Sequence, residues 1–157
     1  MTAANDRDDA AVAALIIGVT LAVVATLLPV VQVTGNSGVL RYTAWQILPW
    51  FTKLKVLALA MLLAAAFLPQ LAKWRLPVAA FAVIMVFVPS VSSFISAVYA
   101  WGEVRAEIVR ATGNRNPFVH PGLANFALVA AGLIVSWAVW RLEARRAPEG
   151  RAAPATA

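Results

Sequence analysis

The chain contains no cysteine. That excludes a disulfide, an iron–sulfur cluster and a thiolate metal site. There is a single histidine, His120, so neither a multi-histidine metal site nor a bis-histidine haem can be assembled from this chain alone. Charge is scarce too: 13% of the 157 residues are charged, where soluble domains carry about 25%. No N-x-[ST] sequon occurs. No phosphate-cradling glycine loop, nucleophile–base set or nucleic-acid motif is legible. The start of the chain holds Asp6, Asp8 and Asp9 against Arg7, the reverse of the basic start of a signal peptide. These absences together lead us to expect no catalysis, no cofactor, no metal and no nucleic-acid partner.

What is present is apolar sequence in long blocks. Hydrophobic residues make up 62% of the chain, and the charges crowd between four apolar stretches near residues 10–28, 54–71, 76–101 and 123–142. A helix needs about 20 mostly apolar residues to cross a bilayer. The expected fold is therefore an all-α membrane protein, a four-transmembrane-helix antiparallel bundle forming one domain over residues 10–142. Residues 1–9 read as a polar tail, and residues 143–157 as a disordered basic tail of Ala, Pro and Arg. The net charge of +6 flanks the apolar blocks, so lipid headgroups are the expected partners of the cations.

The third block, Leu76–Trp101, is the candidate for the packed centre. It places Ser90, Ser92, Ser93, Ser96 and Tyr99 in its second half, beside Pro89. Ser92, Ser96 and Tyr99 share a face at helical spacing, with Ser93 next to them. Pro89 leaves the Met85 carbonyl without its helical donor, which a serine or water can replace. Two readings follow: helix–helix hydrogen bonding, worth about 0.6 kcal/mol per contact, or a small polar cavity for a ligand or quinone headgroup. Intramembrane function is usually marked by an ionisable group, and none is expected within a span.

Between the first two blocks, VVQV, TGNSG and VLRYT predict a short β-hairpin near 30–43, with Gly35 and Gly38 supplying positive φ. An aromatic segment, AWQILPWFTKLK, leads into the second span with Pro49 as an elbow. Trp45, Trp50, Trp74, Trp101, Trp137 and Trp140 suit the interfaces, where an indole sits between headgroup and tail. Lys53 and Lys55 are expected to snorkel outward. Gly18 with Ala22, and Gly132 with Ser136, form small-residue pairs that let helices approach closely. Asn125 suits a cap or a bond across helices.

After Trp101 the helix is expected to extend near 102–112, ending at Gly113. This extension and the hairpin would form a small external cap, whose only candidate site groups are Glu103, Glu107 and His120. One end of a four-helix bundle would hold Arg7, Lys73, Arg75, Arg141, Arg145, Arg146 and Arg151, and the other Arg41, Lys53, Lys55, Arg105, Arg110 and Arg115. The arginine cluster after the last span places both termini in the cytoplasm. The expected role is an accessory, assembly or scaffold subunit of a larger complex in a bacterial inner membrane, with other membrane subunits as partners. The alternative is a small carrier or lipid- or quinone-handling protein using the serine face.

Overall fold

A computed structural model describes residues 3–35, 38–99, 106, 109–110, 113 and 118–144. It is 78% helical, with a small three-stranded sheet. In chain order come α1 (Ala3–Ala25), β1 (Pro29–Gly35), β2 (Gly38–Thr43), α2 (Ala44–Ile47), α3 (Pro49–Phe67), a 3-10 helix (Pro69–Trp74), α4 (Arg75–Tyr99), β3 (Phe118–Pro121) and α5 (Leu123–Ala144). Three stretches are long and apolar enough to cross a membrane: Pro49–Phe67, Pro69–Val88 and Leu123–Ala144. The apolar part of α1, Asp9–Ala25, is shorter.

Helix α1 begins at Ala3, so the polar N-terminal segment is largely helical rather than a tail. Asp6, Asp8 and Asp9 fall in its first two turns. Pro29 cannot continue the helix and opens β1 instead. The hairpin forms as expected, pairing Gln32 with Arg41, Val33 with Leu40 and Gly35 with Gly38. Gly38 has the positive φ, 118°, while Gly35 remains in the strand. Gln46 Oε1 accepts the backbone N–H of Thr43 at 2.9 Å, starting α2. Pro49 then occupies the first turn of α3, where a missing N–H costs nothing.

A third strand, which the sequence does not predict, joins the hairpin. Phe118–Pro121 pairs antiparallel with β1, Thr34 opposite Phe118 and Val31 opposite Pro121, giving the order β2-β1-β3. This segment reads as a re-entry loop because two prolines bracket a stretch too short to show alternation. Of the predicted extension near 102–112, Ala106, Val109 and Arg110 are helical. Gly113 ends it with φ 66° and an N–H donated to the Val109 carbonyl at 2.9 Å. The remainder of the extension lies outside the described residues.

The packed centre is α5 rather than α4. Helix α5 lies against α1 in the most extensive helix pair and against α4 on another side, and α4 in turn packs on α3. Leu15, Val19 and Ala22 of α1 meet Leu128, Ala131 and Val135 of α5 in one cluster with Leu59, Ala82 and Val86. Gly18 explains the intimacy: a Cβ there would stand 2.8 Å from Val135 Cγ2 and 3.2 Å from the Val135 backbone N. Gly132 likewise admits the Phe87 ring of α4. Small residues point inward while Ile17, Leu57, Ile84 and Leu133 are exposed. That sorting suits helices solvated by lipid, where close backbone approach, not exclusion of water, drives packing. The sheet closes one end of the bundle, β1 touching α4 and α5, and β3 touching α4.

Candidate functional site

Helix α3 buries a single stripe: Thr52, Lys55, Ala58, Leu59, Leu62 and Ala65. These positions recur at helical spacing, so Lys55 sits in the inward phase and Lys53 does not. Lys53 behaves as expected, exposed with Nζ 4.7 Å from the Trp50 ring centroid. Lys55 does not snorkel to the surface. It is 1% exposed, and its Nζ has no hydrogen-bond partner among the described residues. The Phe51 ring lies near it, 5.9 Å from Nζ to the centroid. Phe51 lies one turn toward the N-terminus, the direction in which helical side chains lean. The nearby Thr52 hydroxyl is committed, donating to the Leu48 carbonyl at 2.9 Å. The expectation that no ionisable group lies within an apolar helix is thus overturned by Lys55.

Ser90 faces the same region from α4. It is 1% exposed and its Oγ also lacks a partner among the described residues. It continues the α4 stripe of Ala79, Ala82 and Val86. The hairpin of α3 and α4 fixes its height. Arg75 Nε and Nη2 donate to the Ala65 and Ala66 carbonyls at 3.3 and 3.0 Å, setting the register at one end. From there Ser90 lies about 22 Å up α4 and the Lys55 backbone about 15 Å up α3, at about 1.5 Å per residue, and the Lys55 side chain leans further up toward Phe51. The Lys55 amine and the Ser90 hydroxyl therefore belong to one layer beneath the sheet.

The opposite end carries the compensated charge. Arg75 is 6% exposed, binds the last carbonyls of α3 and sits 3.6 Å from Glu143 Oε1 of α5. One guanidinium thus ties three helices and satisfies a helix C-terminus. Trp74, Trp137 and Trp140 are exposed near this end, with Lys73 over Trp74 and Arg141 beside Trp137 and Trp140. Trp50 is exposed at the sheet end, and Trp45 Nε1 there donates to Thr26 Oγ1 at 3.1 Å. The two aromatic girdles match interfacial anchoring. Trp101 lies outside the described residues.

Of the serine face, Ser90 alone has a described side chain; those of Ser92, Ser93, Ser96 and Tyr99 lie outside the described residues, as do Glu103 and Glu107. His120 is knit into the sheet. It stands opposite Gln32, its Nε2 is 3.3 Å from Thr34 Oγ1, and its ring is 4.4 Å from that of Phe118. No metal-ligating cluster occurs among the described residues. Lys55 was the residue missed: it shares its phase with Thr52, Ala58 and Leu59, but that this phase is the buried one is set by which face of α3 meets its neighbours. No family model matches the chain, nor does any curated protein or solved structure.

Proposed function

We propose that this is a non-enzymatic integral membrane protein that acts by binding, as an accessory, assembly or scaffold subunit of a larger complex in a bacterial inner membrane. The chain crosses four times in this reading, with α1 as the first span and both termini cytoplasmic. The close antiparallel packing of α1 on α5 supports the fourth crossing, since a helix laid along a crossing helix shares its environment. The observation that carries the binding role is the free edge of β2. Among the described residues that strand pairs only with β1, and Val39, Leu40, Arg41 and Tyr42 are all exposed. An uncovered edge with apolar side chains recruits another strand. Its occupant is an extended external segment of a neighbouring membrane subunit. Mild detergent extraction followed by native-size analysis and mass spectrometry tests this. A heavier assembly that is lost in Leu40→Lys or Tyr42→Lys supports it, and a lone monomer overturns it.

A second reading is favoured by Ser90. A buried hydroxyl without a partner suits a small carrier or a lipid- or quinone-handling protein that uses the face of Ser90, Ser92, Ser93, Ser96 and Tyr99. Replacing Ser92, Ser93 and Ser96 with alanine separates the two. Loss of ligand handling with assembly intact favours the second reading.

A further inference from the structure

Two groups made for hydrogen bonding, the Lys55 amine and the Ser90 hydroxyl, are buried at a similar height of the bundle, each without a partner among the described residues. The Lys55 amine brings three N–H donors when protonated, and the Ser90 hydroxyl one more. Lysines that serve packing alone find acceptors or reach water, because an uncompensated buried charge is costly. Arg75 shows the compensated case at the other end, on two carbonyls and Glu143. Among the described residues Lys55 has no such counterpart. The carboxylates with described side chains are Asp9 and Glu143, and both lie at the opposite end, near the α1 N-terminus and the α5 C-terminus.

We propose that Lys55 and Ser90 form a binding site for the anionic headgroup of an amphiphile, a carboxylate or phosphate carried on an acyl chain. The headgroup supplies the missing negative charge and accepts from both residues. The acyl chain runs over the lipid-facing side of the same hairpin, where Leu54, Leu57, Val88 and Val91 are exposed. Trp50 and Lys53, exposed at the same end, stand where such a headgroup arrives from the interface. This inference deepens the second reading above and rests on it, adding the residue that reading lacked and the sign of the ligand's charge.

The test uses the full chain in nanodiscs of phosphatidylcholine. The probes are fluorescent palmitate, phosphatidylglycerol, inorganic phosphate and decylubiquinone. Saturable binding of palmitate or phosphatidylglycerol is expected, weakened about tenfold or more in Lys55→Met and several-fold in Ser90→Ala. Inorganic phosphate should not compete; equal competition overturns the acyl-borne source. In the unaltered protein, the anionic amphiphile should also shield Lys55, but not Lys73, from a membrane-permeant amine reagent, read by mass spectrometry. That arm decides the matter even if a variant misfolds. Unchanged binding in Lys55→Met, or no shielding, overturns the inference. Decylubiquinone binding equally to wild type and Lys55→Met, with no anionic ligand bound, overturns it while leaving the second reading standing.

Discussion

Gly122 shows how one residue joins the sheet to the bundle. Its N–H donates to the Val30 carbonyl at 2.7 Å, and a Cβ there would overlap the Pro29 carbonyl. Asn125, fully buried three residues on, donates from Nδ2 to the same Val30 carbonyl at 2.8 Å. The entry to β1 is thus pinned to the start of α5 by two donors and one missing methyl. Gly122→Ala must move backbone, not a side chain, and is expected to cost about 3 kcal/mol, read as a lowered thermal midpoint in detergent. Asn125→Ala should cost less, about 1 kcal/mol, because the Gly122 N–H still serves Val30. A Gly122→Ala variant as stable as the parent would mean that this junction is not formed. Asn125 was legible as a residue that bonds across elements. Gly122 was not, since its role depends on a carbonyl some ninety positions away in the chain.

Helix by helix, the two glycine contacts differ in what opposes them. A methyl on Gly18 would meet Val135 Cγ2, Ile134 Cγ2 and the Val135 backbone N, at 2.8 to 3.2 Å. A methyl on Gly132 would first meet ring atoms of Phe87, the three nearest at 2.6 to 3.2 Å. Phe87 is half-buried and can swing toward the lipid side; the α5 backbone cannot. Gly18→Ala should therefore destabilise more than Gly132→Ala, and Phe87→Leu should rescue Gly132→Ala but not Gly18→Ala. Thermal unfolding of the four variants checks the ranking, and equal losses would contradict it. The third helical tie is Arg75. Arg75→Met strands the last carbonyls of α3 and leaves Glu143, 30% exposed, without its partner. The expected loss is about 2 kcal/mol, below the range for fully buried pairs because water reaches Glu143; adding Glu143→Gln should recover part of it. The sequence revealed the small-residue faces, the hairpin of α3 and α4 and the β-turn, because each is a local pattern. It did not reveal that α5 is central, or that Lys55 points inward. Both depend on which faces meet, and apolar helices with little periodic contrast carry weak marks of that.

For the whole molecule, we expect four crossings with both termini cytoplasmic, from how the two ends are furnished. The end holding Arg75 and Glu143 also gathers Lys73, Arg141, Trp74, Trp137 and Trp140, while the sheet end offers Arg41, Lys53 and the buried Lys55, with Arg110 assigned there by the four-crossing reading. Cations held near aromatic rings at a membrane surface favour the cytoplasmic leaflet, where acidic lipids concentrate. The chain's lack of cysteine makes the test clean, since each introduced thiol is the only one. In right-side-out vesicles, Leu40→Cys on β2 should react with an impermeant maleimide. Thr2→Cys and Ala153→Cys should react only after permeabilisation. A three-crossing chain, with α1 lying flat, would instead expose Thr2→Cys and leave Ala153→Cys protected. Reaction at both ends but not at Leu40→Cys would keep four crossings and reverse their direction. The sheet, the free β2 edge and any partner strand would then belong to the cytoplasm, and the search for that partner would move with them.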